Sequence, residues 1–190
     1  DLSAWDIGLL MSQMQLMRLF GPYYWGRLAD RQGQRLAIVR WTGAAALVVF
    51  IVFFLTAKLG LLLAGMAVFA FFWSASLPLV EALTFDHLRE NAARYSRVRL
   101  WGSVGFIAAV LASGTLLDFL PLDAVLWFTV ASLVAIVASS MAVPEAVSHQ
   151  SHEDSAPVAA ILALPSVRAL LAAGLCMQAA HGAMNIFYSI

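Results

Sequence analysis

The chain is 190 residues long, 62% hydrophobic and 12% charged, and its 11 basic and 11 acidic residues cancel. Soluble domains carry about 25% charged residues, so this composition excludes an ordinary water-soluble domain and predicts a polytopic membrane protein. The zero net charge leaves no electrostatic footprint for nucleic acid, and a single cysteine, Cys176, excludes an intrachain disulfide.

A hydrocarbon core of about 30 Å takes about 20 apolar residues per helix. Six segments approach that length: Ile7 to Leu28, Ile38 to Ala57, Leu59 to Leu83, Leu100 to Leu117, Leu122 to Val143, and Arg168 onward. None shows the sustained alternation a spanning barrel needs, and in lipid a long apolar run satisfies its own backbone as a helix. The expected fold is therefore an all-α membrane bundle. The chain does not begin with Met and runs to Ile190 inside an apolar segment, so a piece of a longer protein is expected.

The connections alternate in charge. Arg27, Arg31 and Arg35 follow the first segment, and Arg89, Arg94, Arg97 and Arg99 follow the third. The turn after the second holds only Lys58, and the turn after the fourth holds Asp118 and Asp123. By the positive-inside rule, loops 28–37, 84–98 and 144–167 are expected to be cytoplasmic. The stretch VSHQSHEDSAP has no apolar period and is expected to be mobile. Its His149, His152, Glu153 and Asp154 match no recognised metal pattern, so neither a metal nor a cofactor is expected.

The first basic loop reads GRLADRQGQR. Gly26 and Gly33 permit close approach and positive φ in a tight reversal. Asp30 suits a helix N-terminus, where a carboxylate is favoured, and Arg31 and Arg35 suit carboxylates or lipid headgroups. A generic basic loop would read similarly.

Charges inside the apolar segments need a separate reason. Glu81 and Arg99 lie eighteen residues apart at the edges of two segments. A charge in a membrane helix costs at least about 2.5 kcal/mol on insertion scales, so a water-filled cavity shared by the two helices would explain both. Burial would raise the carboxyl's pKa and a nearby guanidinium would lower it, a balance suited to proton exchange. The plain alternative is a pair that closes the helix ends or snorkels to the interface. Arg18 lies mid-segment, on one face with Met11, Gln15 and Pro22. It would either grip a carboxylate solute or pair with a helix preceding this chain. Gln178, His181, Asn185 and Tyr188 form a polar stripe on the last segment. The stripe reads as a cavity lining with a proton-titratable histidine, against simple packing. Trp73, two turns before Glu81, is a candidate for ring stacking, whereas Phe71 and Phe72 read as helix or lipid contacts. Gly102, Ser103, Gly105 and Ala109 would let their helix pack closely on others. No nucleophile–base pair or phosphate loop appears, so no enzyme is expected.

The pattern formed by Gly26, Asp30, Arg31, Gly33 and Arg35 resembles the loop signature of the major facilitator superfamily, with Gln34 where that family often has a base. The resemblance implies that residues 1–143 are helices two to six of a first bundle. Residues 144–167 would be the central loop, and 168–190 the start of helix seven. It also implies that Asp30 meets a helix of the other half and biases an outward-open state. PLVEAL and RVRLWGSVGF resemble helices four and five of lactose permease, where a glutamate and an arginine face each other across the sugar site. YSRVRLWGSVGF and QAAHGAMNIFYSI more closely resemble the phenylpropionate permease family. The resemblance implies a secondary transporter, a proton symporter of a small organic solute such as an aromatic carboxylate, in a bacterial inner membrane and monomeric when full length. A sugar or nucleoside symporter, and a non-transporting solute sensor of the same fold, stand as alternatives.

Overall fold

The structure, a computed structural model, describes residues 3–88, 91, 94–121, 123–145 and 158–187, leaving aside the side chains of 4, 158, 159, 178 and 181–187. Among the described residues all regular structure is helical: α1 (Ala4–Gln32), α2 (Arg35–Phe50), α3 (Val52–Leu55), α4 (Leu59–Trp73), α5 (Ser76–Leu88), α6 (Tyr95–Leu117), α7 (Ala124–Ala142), α8 (Val158–Ala163) and α9 (Pro165–Phe187). The chain divides into two units, Asp1–Gln150 and Ser151–Ile190.

Among the described residues of the first unit, four runs are long and apolar enough to cross a membrane: Arg35–Leu55, Leu59–Leu88, Tyr95–Leu117 and Ala124–Ala142. The second and third expected segments are each broken, at Ile51 and at Ser74–Ala75. With its 29 residues α1 has the length, but Ser12, Gln13, Gln15 and Arg18 dilute its hydropathy and it falls outside that group.

Local chemistry sets the helix ends. Ser3 and Asp6 close a capping box at the start of α1. At its other end Gly33 turns left-handed, φ 65°, and its amide returns to Ala29 O at 2.9 Å. Gly26, read from sequence as a partner in this reversal, sits instead inside α1, because the helix continues to Gln32. At the N-terminus of α2 the Leu36 amide donates to Glu145 Oε1 at 3.0 Å. Arg40, one turn on, donates to Ser140 O, Met141 O and Val143 O at the end of α7. Each of these antiparallel helices therefore caps the other.

Two apolar clusters hold the first unit. Trp25 and Ala29 of α1 meet Ile38 and Val39 of α2 with Ala75 and Leu79 around the break before α5. Ala46 and Phe50 of α2 meet Phe69 of α4 and Leu133 of α7. Phe71 and Phe72 pack against Trp25. In contrast α6 buries none of its residues. A Cβ built at Gly102 or Gly105 would meet nothing within 4 Å, so the close packing expected of that stripe is not present among the described residues. Its exposed Leu100, Trp101, Phe106 and Leu111 suit an apolar solvent.

In the second unit, α8 packs on α9. Both begin inside what the sequence presents as a continuous polar linker. VAAILA is a good helix former, and Pro165 supplies the first residue of α9, where a missing amide costs nothing. His149, His152, Glu153, Asp154 and Tyr188 lie outside the described residues.

Candidate solute cavity

A cavity of about 990 Å³ opens within the first unit. Its walls come from α1 (Arg18, Pro22), α2 (Leu36, Val39), residues around the α4–α5 break (Trp73, Ser74, Ser76), one face of α5, Val98 of α6, and the end of α7. Most of the lining is apolar. The hydroxyls of Ser74, Thr84, Ser139 and Ser140 donate to carbonyls of their own turns, at 2.6 to 2.9 Å, a common use of such residues in helices. That leaves few polar groups for a ligand. Arg18 is the one guanidinium in the lining. Its Nη1 donates to Gln15 Oε1 at 3.3 Å, and among the described residues no carboxylate pairs with it.

Ser76, Val80, Leu83, Thr84 and His87 line the cavity with helical period along α5. Sequence reading passed over Ser76, Thr84 and His87, although their i, i+8 and i+11 spacing on one helix face was the available signal. Glu81 falls to the side of that face. It meets Arg99 of α6 at 2.6 Å, and Arg99 also donates to the Tyr95 hydroxyl at 2.9 Å. Tyr95 stacks on Phe85 with ring centroids 4.4 Å apart. The structure thus brings Glu81 and Arg99 together, but neither is in the cavity lining. Their side chains are 37% and 65% exposed.

Trp73 does line the cavity and lies nearly parallel to Phe69, with 6.0 Å between centroids and 11° between planes. The loop motif forms its own constellation. Arg35 bridges Asp30 of α1, at 2.9 Å, and Asp86 of α5; Arg31 makes no ion pair among the described residues. Gln178, His181 and Asn185 are on α9 of the second unit, and their side chains lie outside the described residues. Among the described residues no group of three or more potential metal ligands occurs.

Comparison with known proteins fits these features. The MFS_1 like family matches residues 1–190. A maltose permease of Geobacillus stearothermophilus is 28% identical over 141 residues, covering 74% of this chain and 35% of the permease. The uncharacterized transporter YwbF of Bacillus subtilis is 28% identical over 143 residues, 74% of this chain and 36% of that protein. A probable 3-phenylpropionic acid transporter of Escherichia coli is 28% identical over 189 residues, 97% of this chain and 49% of its own length. The chain thus spans about a third to a half of the length of these curated relatives. No solved structure matches it significantly. The family match covers residues 1–190, and the described residues are helical with four runs of membrane length, so the chain belongs to the MFS-like membrane transporters, a family of carriers and not of enzymes.

Proposed function

We propose that the full-length protein is a secondary transporter that carries a small organic anion with an apolar body, of the aromatic carboxylate class, through the cavity of the first unit. The carrying observation is the pairing of an apolar chamber of about 990 Å³ with one guanidinium, Arg18, that has no carboxylate partner among the described residues. A guanidinium grips a carboxylate in bidentate fashion, and apolar walls with few placed polar groups suit the remainder of such a solute. Trp73 would stack on its ring. The relative named as a probable 3-phenylpropionic acid transporter matches 97% of this chain, which supports the same class.

In this reading six helices span the bilayer: α1, α2–α3, α4–α5, α6, α7 and α9. The arginine-rich ends face the cytoplasm of a bacterial inner membrane. Residues 1–143 belong to the first bundle, 144–167 to the central loop and 168–190 to the second bundle. The two bundles rock about the solute, and the full-length carrier works as a monomer. Transport is coupled to protons. Glu81 exchanges the proton beside Arg99, and Gln178, His181 and Asn185 supply polar groups from the second bundle. Asp30, held by Arg35, biases the conformational equilibrium.

A second reading, a sugar carrier, draws on the match to a maltose permease. A sugar needs many hydrogen bonds, and the lining spends most of its hydroxyls on backbone carbonyls, so this reading ranks lower. Uptake of labelled 3-phenylpropionate and labelled maltose into vesicles carrying the full-length protein separates the two. The expected result is 3-phenylpropionate accumulation that Arg18→Gln lowers at least about tenfold. Maltose accumulation, or uptake indifferent to Arg18→Gln, overturns the proposal. Solute binding without uptake would instead indicate a sensor.

A further inference from the structure

The membrane-length run Leu59–Leu88 is broken once, at Ser74–Ala75. Pro78 supplies one cause, since it has no amide for the carbonyl of Ser74 four residues back. A second cause lies one turn earlier. In an unbroken helix the Ala75 amide would donate to Phe71 O. Here it donates to Phe72 O at 3.3 Å, the short-turn pattern. Phe71 O has two other donors: the Trp25 indole Nε1 of α1 at 2.9 Å, and the Ser74 hydroxyl at 2.7 Å. The α1 helix reaches this carbonyl because residue 21, one turn before Trp25, is glycine. A Cβ there would stand 1.9 Å from Ser74 Oγ and 3.6 Å from Phe71 O.

We propose that the Phe71 carbonyl is a two-donor switch. Bound to Trp25 and Ser74, it holds the helix broken between α4 and α5; returned to the Ala75 amide, it lets the two run on as one helix. Both states satisfy the carbonyl, so neither leaves a buried acceptor bare. Exchange of donors at a helix break is the kind of two-arrangement element that conformational transitions use. The residues that would swing are those of the cavity wall: Trp73, Ser74, Ser76, Leu77 and Pro78 all line it. Trp25 does not line the cavity and so acts as a positioning residue, through Phe71. The effect on a solute rests on the transport reading above, whereas the helix break itself does not.

Hydrogen–deuterium exchange at the Ala75 amide of the full-length protein in nanodiscs tests this, through the sign of one change. Trp25→Phe keeps an aromatic ring and removes the donor. If Phe71 O switches, the two helices run on as one, Ala75 gains its four-residue bond, and its exchange slows by about fivefold, the worth of one net hydrogen bond. If Trp25 is only a structural brace, its loss loosens the segment and exchange quickens. Faster or unchanged exchange overturns the proposal. Ser74→Ala removes the other donor and must also slow exchange; it decides the matter should Trp25→Phe not fold. Uptake of 3-phenylpropionate is scored separately on the unmodified protein. Its absence sinks the transport reading without altering the sign expected at Ala75.

Discussion

Arg35, the first residue of α2, joins Asp86 near the end of α5 across 51 positions of sequence, while its other terminal nitrogen holds Asp30 at 2.9 Å. One planar guanidinium thereby ties the α1–α2 turn to the far end of a different span. Arg35 and Asp86 are each 21% exposed and Asp30 is 66% exposed, so the arm to Asp86 carries more of the interaction. Solvent screens the other.

Asp86→Asn is accordingly expected to destabilise the bundle by about 1.5–3 kcal/mol, in the range of hydrogen bonds to charged groups, and Asp30→Asn by less. Arg35→Lys is expected to resemble Asp86→Asn, because a single ammonium lacks the fork that serves two carboxylates. Thermal unfolding of the purified variants measures the order. Equal effects at Asp30 and Asp86 would show the bridge to be symmetric.

Gly21→Ala is expected to destabilise by about 1–3 kcal/mol, typical of overpacking, because the added Cβ would stand 2.8 Å from Ser74 Cβ as well as against its hydroxyl. Ser74→Gly, which removes both atoms, should rescue much of that loss. A double-mutant cycle reads the coupling directly. Gly26→Ala serves as the control: nothing lies within 4 Å of its Cβ, and alanine favours the helix by about 1 kcal/mol.

Glu81→Gln in the full-length protein is expected to abolish uptake driven by a pH gradient, because glutamine still accepts from Arg99 and Tyr95 but carries no proton to exchange. Counterflow of unlabelled against labelled solute, which needs no net proton movement, should survive. Normal pH-driven accumulation in vesicles would remove Glu81 from the coupling step.

Acid should fray the start of α1. The Ser3 hydroxyl, at 2.7 Å, and then the Ser3 amide, at 2.9 Å, hold the Asp6 carboxyl below the usual carboxylate range. Asp6 precedes Ile7, the first residue of the expected span. A carboxyl whose native pKa is lowered stabilises the cap at every pH above its unfolded value, and that stabilisation is lost as pH falls through the native one. Amide exchange of residues 3–7 should therefore quicken only at strongly acidic pH. Asp6→Asn should remove that pH dependence, and persistence of the dependence in the variant would assign it elsewhere.

Much of this protein is local and was legible as such. Apolar runs of membrane length mark the spans, since a backbone in lipid has no partner but itself. Gly33 announces its left-handed turn. Arg18 stands out because a charge in mid-span needs a cavity or a partner, and the structure places it in a cavity lining.

Tertiary structure alone decided which groups meet. Sequence assigned Glu145 no role and named no particular partner for Arg35, yet Glu145 caps α2 and Arg35 holds both Asp30 and Asp86. Sequence paired Glu81 with Arg99 across a chamber, yet they meet beside it, while Ser76, Thr84 and His87 line the wall. Neither the break at Ser74–Ala75 nor the indole of Trp25 on Phe71 O is visible in hydropathy. The physical reason is the solvent. Lipid tails are as apolar as the packed interior, so a membrane helix carries little amphipathic signal to say which face turns inward. Only the close approach of particular atoms, such as Gly21 against Ser74, settles how the helices are set against one another.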